Sequence, residues 1–269
     1  MRVKVCSDFH SEFWNFNNFE RILNNILPPT DEDKETILCL AGDCGVLEKY
    51  ASTIKPLFNL LSERFQYVMT CYGNHEYYHG NMWGVEKLFW RGKKLPKNVF
   101  ILDDQYKIID DVIFIGSTLW TDFDNENFSA MQIAQKSMND FILIRKPSVE
   151  LVSNKLTPED TVEKHRKSVR FIFNTLEQFK DMKSVVITHH LPSQQCVDPI
   201  FKGDKLNPAF ASELGNKIAD MGKPDYWQFG HTHSVYQGEI GNTKLVCNPY
   251  GYKDVDCCKK FNPNLIIEI

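Results

Sequence analysis

The chain has 269 residues, of which 42% are hydrophobic and 25% are charged, the profile of a soluble globular protein with a large buried core. This composition excludes a disordered or fibrous chain, and no stretch approaches the roughly 18 apolar residues that a membrane span requires. The formal net charge of −4 excludes a global positive field for duplex DNA, so we expect no duplex nucleic acid as a partner; because an apolar span is lacking, we expect no membrane partner either.

The cysteines and the N-terminal residues indicate the compartment. The eight cysteines show no C-x-x-C spacing, and three of them lie in apolar runs where cysteine behaves as a small hydrophobic residue. A cysteine zinc site is therefore disfavoured. The chain enters a predicted strand within its first residues, at positions 3–6, and residues 1–10 lack the features of a secretory signal. We expect a cytoplasmic protein and, since no linker divides the chain, a single domain over residues 1–269.

Short apolar runs, each followed by glycine or polar residues, predict buried strands. In chain order they are residues 3–6, 36–41, 67–71, 184–187 and 226–229. Predicted helices at residues 18–27 and 48–64 separate the first three strands. This alternation favours βαβ units and a sheet covered by helices.

The remaining elements are predicted from turn and cap signals. Residues 99–102, 106–109 and 112–115 are typical of short strands, antiparallel around Asp103-Asp104 and Asp110-Asp111, in a second sheet or an extension of the first. Thr157, Pro158 and Asp160 form a helix-start pattern, which predicts a long helix to about residue 179. Residues 191–208 contain three prolines and predict a surface loop. The tail predicts strands at residues 235–240, 244–247 and 265–269.

Polar side chains follow five predicted strands at the point where each strand ends. They are Asp8, His10, Asp43, Asn74, His75, His189, His190, His231 and His233. A single histidine after a strand is more often structural than functional, so the evidence lies in their joint placement. Because the carboxyl ends of parallel strands share one edge of an open α/β sheet, these residues should converge there.

The donor types indicate a metal centre. Imidazole, carboxylate and amide donors without a thiolate suit Mn, Fe, Zn, Ni or Co. The set is too large for one tetrahedral ion, whereas two metals about 3.5–4 Å apart, bridged by a carboxylate, would use it. A bridging carboxylate should follow a central strand, which favours Asp43.

Five segments, in this order, resemble the signature blocks of the calcineurin-like metallophosphoesterases. They are Asp8-x-His10, Gly42-Asp43, Gly73-Asn74-His75-Glu76, Thr188-His189-His190 and Gly230-His231-Thr232-His233. The segments after His190 and at residues 119–122 are similar to a bacterial and phage subgroup. The resemblance implies a four-layer α/β fold, a β-sandwich flanked by helices, with a dimetal site at the carboxyl ends of the strands.

The resemblance also implies residue roles. Asp8, His10 and His233 would hold one metal, and Asn74, His189 and His231 the other, with Asp43 bridging. His75 would contact the substrate near the leaving oxygen and donate a proton or stabilise charge, and Asn74 would also contact substrate. His190 is left with two roles, contact with the substrate phosphate or support of other site residues.

Two features depart from the family pattern. Many members carry an acid shortly after Gly-Asp that orients the substrate histidine, and here only Glu76 and Glu48 are candidates. Tyr250 occupies a tail position where relatives often have arginine. Aromatic side chains near the motifs are interpreted as core or as the wall of a substrate pocket; they are Phe9, Phe13, Trp14, Tyr77, Tyr78, Trp83, Trp120 and Phe123.

These patterns predict a hydrolase that cleaves a phosphomonoester or phosphodiester with a hydroxide bridging two divalent metals. Manganese is the metal expected to support activity, and the substrate is expected to be small, with nucleotides among the candidates. The alternatives are a cyclic nucleotide or dinucleotide phosphodiesterase and a short single-strand nuclease. A protein phosphatase is a further alternative, disfavoured by the short chain and by the missing acid after Asp43. An inactive metal-binding scaffold is disfavoured because no ligand position is lost. The oligomeric state is left open.

Overall fold

The computed structural model describes residues 1–83, 95–147, 154–253, 256–257 and 259–269. Its helices are α1 (Phe19–Ile26), α2 (Ile54–Arg64), α3 (Phe123–Glu126), α4 (Phe128–Ser137), α5 (Asp140–Leu143), α6 (Pro158–Gln178), α7 (Asn207–Phe210) and α8 (Gly215–Met221). Its strands are β1 (Arg2–Cys6), β2 (Ile37–Leu40), β3 (Tyr67–Thr70), β4 (Val99–Ile101), β5 (Gln105–Ile109), β6 (Val112–Ser117), β7 (Lys183–Thr188), β8 (Tyr226–Phe229), β9 (Tyr236–Ile240), β10 (Thr243–Cys247), β11 (Gly251–Tyr252), β12 (Asp256–Cys257) and β13 (Ile266–Glu268). Within these described ranges, no helix is long and apolar enough to cross a membrane.

The first sheet has five strands in the order β13-β1-β2-β3-β4. Strands β1 to β4 run parallel, and β13 joins β1 antiparallel. All four residues of β2 are buried, which explains why the sequence shows a continuous apolar run there rather than an alternating pattern. Because β2 lies in the middle of the sheet, the residues that follow it reach the centre of the sheet edge.

The second sheet has six strands in the order β5-β6-β7-β8-β10-β9. The predicted strand cluster at residues 99–115 is divided between the two sheets. β4 extends the first sheet, whereas β5 and β6 form a hairpin of the second around Asp110-Asp111, as predicted. The expected antiparallel turn at Asp103-Asp104 is wrong, because these residues link the two sheets.

The layers follow from the alternation of side chains along each strand. Val3 and Val5 of β1 point inward and pack with Val185 and Ile187 of β7, so the inner faces of the two sheets share one apolar layer. On the outer face of the first sheet, Leu38 and Leu40 belong to a cluster with side chains of α1 and α2. On the outer face of the second, α6 and α8 contribute to a third cluster. The four-layer sandwich flanked by helices is therefore confirmed.

The first residues of two helices are determined by hydrogen bonds between side chains and the backbone. At α6 the Asp160 carboxylate accepts hydrogen bonds from the backbone N–H and the hydroxyl of Thr157, both at 2.9 Å, and this is the predicted capping box. The helix predicted from residue 48 begins only at Ile54. The Thr53 hydroxyl donates to the Lys49 carbonyl at 2.9 Å and holds the preceding residues in separate turns.

A buried ion cluster joins the first strand to α2. Lys4 Nζ lies 2.9 Å from one carboxylate oxygen of Asp33, and Arg64 Nε lies 2.5 Å from the other. The side chains of Lys4 and Asp33 are each only 2% exposed. Each buried charge therefore depends on its partner for the solvation that water would supply.

We expect Asp33→Asn to lower the free energy of unfolding by about 3 kcal/mol, because Lys4 would be left buried without a charged partner. Although burial opposes it, hydrogen bonding from Arg64 and Lys4 holds the pKa of Asp33 below its ordinary value. The stabilisation is thus present at neutral pH and is lost as pH falls through the native pKa. Urea unfolding at neutral and acidic pH measures both effects. Asp31→Asn, at an exposed carboxylate of the same turn, is the control, and equal stability of the two variants would contradict the expectation.

Candidate metal centre

The predicted site residues converge where the strands of both sheets end. In the first sheet, Asp8 and His10 follow β1, Asp43 follows β2, and Asn74 and His75 follow β3. In the second sheet, His189 and His190 follow β7, and His231 and His233 follow β8. The expectation of one open-sheet edge is corrected in this respect. The site lies between the edges of two stacked sheets.

Glycines allow the loops of the two sheets to approach each other. A Cβ on Gly73 would lie 2.1 Å from Asp43 Oδ1, and a Cβ on Gly230 would lie 2.8 Å from Asp8 Oδ2. The backbone N–H of His231 can therefore donate to Asp8 Oδ1 at 3.1 Å, which ties the ends of β8 and β1 together. The glycines that precede Asn74 and His231 are thus required by close packing around the carboxylates.

The backbone itself is unusual at the site. Five non-glycine residues have positive φ angles there, namely Asp8 (56°), His10 (47°), Asp43 (51°), His231 (68°) and His233 (50°). This region is uncommon for residues with a Cβ, and such residues cluster where a structure holds side chains for function. The turns after the strands aim these side chains at one another.

The first triad consists of Asp8, His10 and His233, whose potential ligand atoms all lie within 4.8 Å of one another. His233 Nε2 lies 3.6 Å from Asp8 Oδ1. The Nε2 atoms of His10 and His233 face each other at 3.1 Å. Two imidazole nitrogens and a carboxylate oxygen therefore point into one small space.

The second triad consists of Asp43, His189 and His231, which satisfy the same distance limit. Asp43 Oδ2 lies 3.4 Å from His189 Nε2 and also 3.6 Å from His10 Nε2 of the first triad. Asn74 Oδ1 lies 2.9 Å from His189 Nε2 and adds an amide oxygen to this group. Asp43 thus occupies the position between the two triads.

The donor set fits divalent cations. Burial lowers the pKa of His10 and of His189 to about 4, so both imidazoles are neutral and keep a lone pair. Burial, with the charges of Glu76 and Asp8, raises the pKa of Asp43. His231 Nε2 is buried and has no hydrogen-bond partner among the described residues. Neutral imidazole nitrogens and closely spaced carboxylate oxygens thus face the same space. A divalent cation that takes N and O ligands would stabilise this arrangement.

Asp140 holds the amide of Asn74. Its Oδ1 accepts a hydrogen bond from Asn74 Nδ2 at 2.8 Å, and Tyr78 Oη lies 3.2 Å from the same nitrogen. These contacts identify the nitrogen of the amide and turn its oxygen towards His189. Asp140 begins α5 and is not among the residues predicted from the sequence, because nothing near it repeats a strand-end motif.

The partner of His75 is Glu12, in a short turn after His10. Glu12 Oε1 lies 2.7 Å from His75 Nδ1, and Tyr252 Oη lies 3.2 Å from His75 Nε2. Although burial opposes it, hydrogen bonding to His10 and His75 lowers the pKa of Glu12 to about 2, which keeps this carboxylate ionised. It therefore accepts the Nδ1 hydrogen and presents Nε2 to the cavity.

Neither predicted orienting acid contacts His75 in this way. Glu48 is exposed on a turn before α2. Glu76 accepts hydrogen bonds from the backbone N–H groups of Asp43, Cys44 and Gly73 at 3.0, 2.7 and 2.6 Å. Glu76 therefore fixes the loops that carry Asp43 and Asn74, while Glu12 orients the imidazole.

His190 is buried behind the cavity. Its Nδ1 lies 3.2 Å from the Thr118 carbonyl oxygen, and its ring packs against His231 with centroids 4.4 Å apart. It is 1% exposed and is not among the residues that line the cavity. His190 therefore supports the His231 ring from behind the cavity, and its contact with the substrate phosphate stays a prediction.

The site opens into a cavity of 290 Å³. Its lining consists of Asp43, Asn74, His75, Tyr78, Met138, Asn139, Asp140, Phe210, His231, Thr232, His233 and Tyr252. Of the aromatic residues singled out in the sequence, Tyr78 lines this cavity. Phe9, Trp14, Tyr77, Trp120 and Phe123 are buried in the core, and Phe13 is exposed. Phe210 and Tyr252 were not predicted, since they lie far from the motifs in sequence.

Comparisons with known proteins agree with this geometry. A sequence model of the calcineurin-like phosphoesterases matches residues 1–235. An uncharacterized protein of Acanthamoeba polyphaga mimivirus is 29% identical over 284 residues, which cover 95% of this chain and 98% of the viral protein. The crystal structure of a phosphopantetheinyl hydrolase from Mycobacterium tuberculosis has a TM-score of 0.68 at 14% identity and covers 93% of this chain and 89% of that chain. At such low identity this last similarity concerns the fold.

Proposed function

The chain belongs to the calcineurin-like phosphoesterase family and is a hydrolase that acts on ester bonds, and on this premise we propose that it hydrolyses a small phosphoester at two divalent cations. The first triad would hold one cation. His189 and His231, with Asn74, would hold the other, and Asp43 would bridge the two. The observation that carries the proposal is the convergence of both triads on Asp43, with its Oδ2 within 3.6 Å of a nitrogen from each.

When bound, two cations would neutralise the phosphoryl oxygens and supply a nucleophile from water at neutral pH. Among the metals that suit N and O ligands, we propose manganese as an activator. The negative charge of a phosphoester must be neutralised by a local positive charge, and no lysine or arginine is among the described residues that line the cavity. The two proposed cations would supply that positive charge.

His75 would act on the ester oxygen that leaves. Because Glu12 binds Nδ1, the other nitrogen faces the cavity, where the Tyr252 hydroxyl is its present partner. A hydrogen carried on Nε2 could be donated to the leaving oxygen, and the ionised Glu12 would stabilise the imidazolium that carries it. Asn74 would contact a phosphoryl oxygen from the cavity wall, while Asp140 fixes the rotation of its amide.

The proposal is tested by stripping the protein of metal and restoring manganese. A chromogenic phosphomonoester and its diester are then assayed side by side. We expect close to two metals per chain and hydrolysis that depends on the added metal. The faster of the two esters identifies the substrate class. One metal or none per chain, without hydrolysis of either ester, would instead support a scaffold without turnover.

We expect Glu12→Gln to lower turnover about 10- to 100-fold while the metal content changes little. A glutamine oxygen can still accept the Nδ1 hydrogens of His75 and of His10, which keeps the ligand His10 oriented, but it brings no charge to stabilise an imidazolium. Turnover and metal content of the purified variant measure the effect. Glu48→Gln, at the exposed acid, is the matched control and should behave as the wild type. Equal activity of the two variants would remove Glu12 from the mechanism.

A further inference from the structure

A second cavity of 200 Å³ adjoins the metal centre. Its lining consists of Leu191, Val197, Phe201, Asp204, Leu206, Asn207, Phe210 and Thr232. Phe210 and Thr232 line both cavities, and the Phe210 ring stacks on His231 with centroids 4.5 Å apart. The two cavities therefore adjoin at Phe210 and Thr232, beside His231 of the second triad.

The walls of this second cavity are mainly apolar, and two of its polar residues are used by the loop itself. Asp204 Oδ1 accepts a hydrogen bond from the Leu206 N–H at 2.8 Å, and Asn207 Nδ2 donates to the Phe201 carbonyl oxygen at 2.8 Å. Few polar atoms are thus left to recognise the edge of a nucleobase. Burial of an apolar group is the contribution that such walls can make.

The charges around the cavity disfavour a second phosphate. Asp204 lies in its wall and Asp140 in the wall of the metal cavity, and within the described lining of both cavities no lysine or arginine is present. A nucleoside polyphosphate or a dinucleotide would bring further negative charge next to these carboxylates, and no lysine or arginine of the described lining would offset it. The surroundings suit an organic group that carries no charge.

We propose that the second cavity binds the organic group of the substrate, and that this group is an uncharged alkyl or aryl group of about six carbons. The inference rests on the proposed function, since the cations must hold the phosphoryl group. A lined apolar cavity of roughly 150 Å³ is large enough for benzene, so a cavity of 200 Å³ accommodates a phenyl or hexyl group. The predicted surface loop at residues 191–208 thereby gains a role, because it builds most of this cavity.

The test is a series of phosphomonoesters on the manganese-loaded enzyme, with methyl, butyl, hexyl and phenyl phosphate beside adenosine monophosphate. We expect kcat/KM to rise about fourfold for each methylene that becomes buried and to level off once the cavity is full. A flat series, with methyl phosphate still hydrolysed, would overturn the inference and leave the proposed function intact. Preference for the nucleotide over hexyl phosphate would also overturn it.

Calorimetry with the matching alkylphosphonates supplies a readout that does not depend on turnover. A longer chain should give tighter binding and a more negative heat-capacity change, the sign of apolar burial. Binding that ignores chain length would contradict the inference. No metal-dependent binding of any phosphonate, together with no hydrolysis of any ester, would defeat the proposed function and this inference with it.

A pair of variants on the same loop locates the effect. Val197→Asp places a charge in the cavity wall, and the hexyl-to-methyl ratio of kcat/KM should fall to near one. Ile200→Asp makes the same chemical change at a side chain that is 78% exposed and outside the lining, and it should keep the wild-type ratio. An unchanged ratio in Val197→Asp, or an equal fall in both variants, would overturn the assignment.

Discussion

Asp43→Asn is expected to abolish most of the activity, with turnover at least about 10³-fold lower and no more than one metal retained per chain. Asp43 Oδ2 lies within 3.6 Å of nitrogens from both triads, so one substitution removes negative charge from both proposed cation positions. A loss of several kcal/mol of charge stabilisation in the transition state corresponds to this factor. Metal analysis of the purified variant and a phosphoester assay measure the two effects.

The same variant should fold normally. Asp43 Oδ1 accepts the His75 backbone N–H at 2.9 Å, and an asparagine oxygen can take over this bond. Burial, with the charges of Glu76 and Asp8, raises the pKa of Asp43; asparagine carries no charge to bury, so the metal-free protein should be at least as stable as the wild type. Asp111→Asn, at an exposed turn, is the matched control. Two metals retained and activity near normal in Asp43→Asn would exclude a bridging role.

His75→Asn is expected to reduce turnover by about 10²-fold or more while the metal content stays near that of the wild type. The loss is that expected for removal of a general acid. Asparagine is suitable because its amide hydrogens can still reach Glu12, which would otherwise lose its partner on this side. A readout of both turnover and metal content separates loss of the acid from loss of a cation.

The control for this substitution is another histidine close by in the sequence. His79 is exposed and has a φ of 62°, a conformation that asparagine tolerates well. His79→Asn should therefore leave both turnover and metal content unchanged. Turnover at the wild-type level in His75→Asn would remove His75 from the mechanism, whatever its position in the cavity.

The parts of the fold that could be predicted are those set by local chemistry. The apolar run that forms β8 is bounded by a turn and by Gly230, and its limits, Tyr226–Phe229, were predicted to the residue. The capping box of α6 was equally clear, because the cap depends on residues three positions apart. The division of strands between two sheets could not be predicted in the same way. β4 and β5 are separated by three residues, yet they belong to different sheets, and only long-range pairing decides this.

In the site, too, some residues could be predicted from the local sequence and others could not. Most site residues directly follow an apolar run that predicts a strand, so the sequence indicates where they lie in the sheet, and their convergence could be predicted. Glu12 and Asp140 reach His75 and Asn74 from a short turn and a short helix, and no spacing rule connects them. Tyr252 comes from the tail, beyond the residues that the family model matches. Side chains that orient the site residues are brought into contact with them only by the tertiary fold. They could therefore not be predicted from the sequence alone.

The positive φ angles of the five site residues also have a consequence for heat tolerance. Non-glycine residues held there cost the folded chain of order 1 kcal/mol each or more. Cations that bind only the folded form would offset this cost, in proportion to the logarithm of their concentration. The melting temperature of the protein should therefore follow the supply of metal, and a chelator should make the chain easier for proteases to digest.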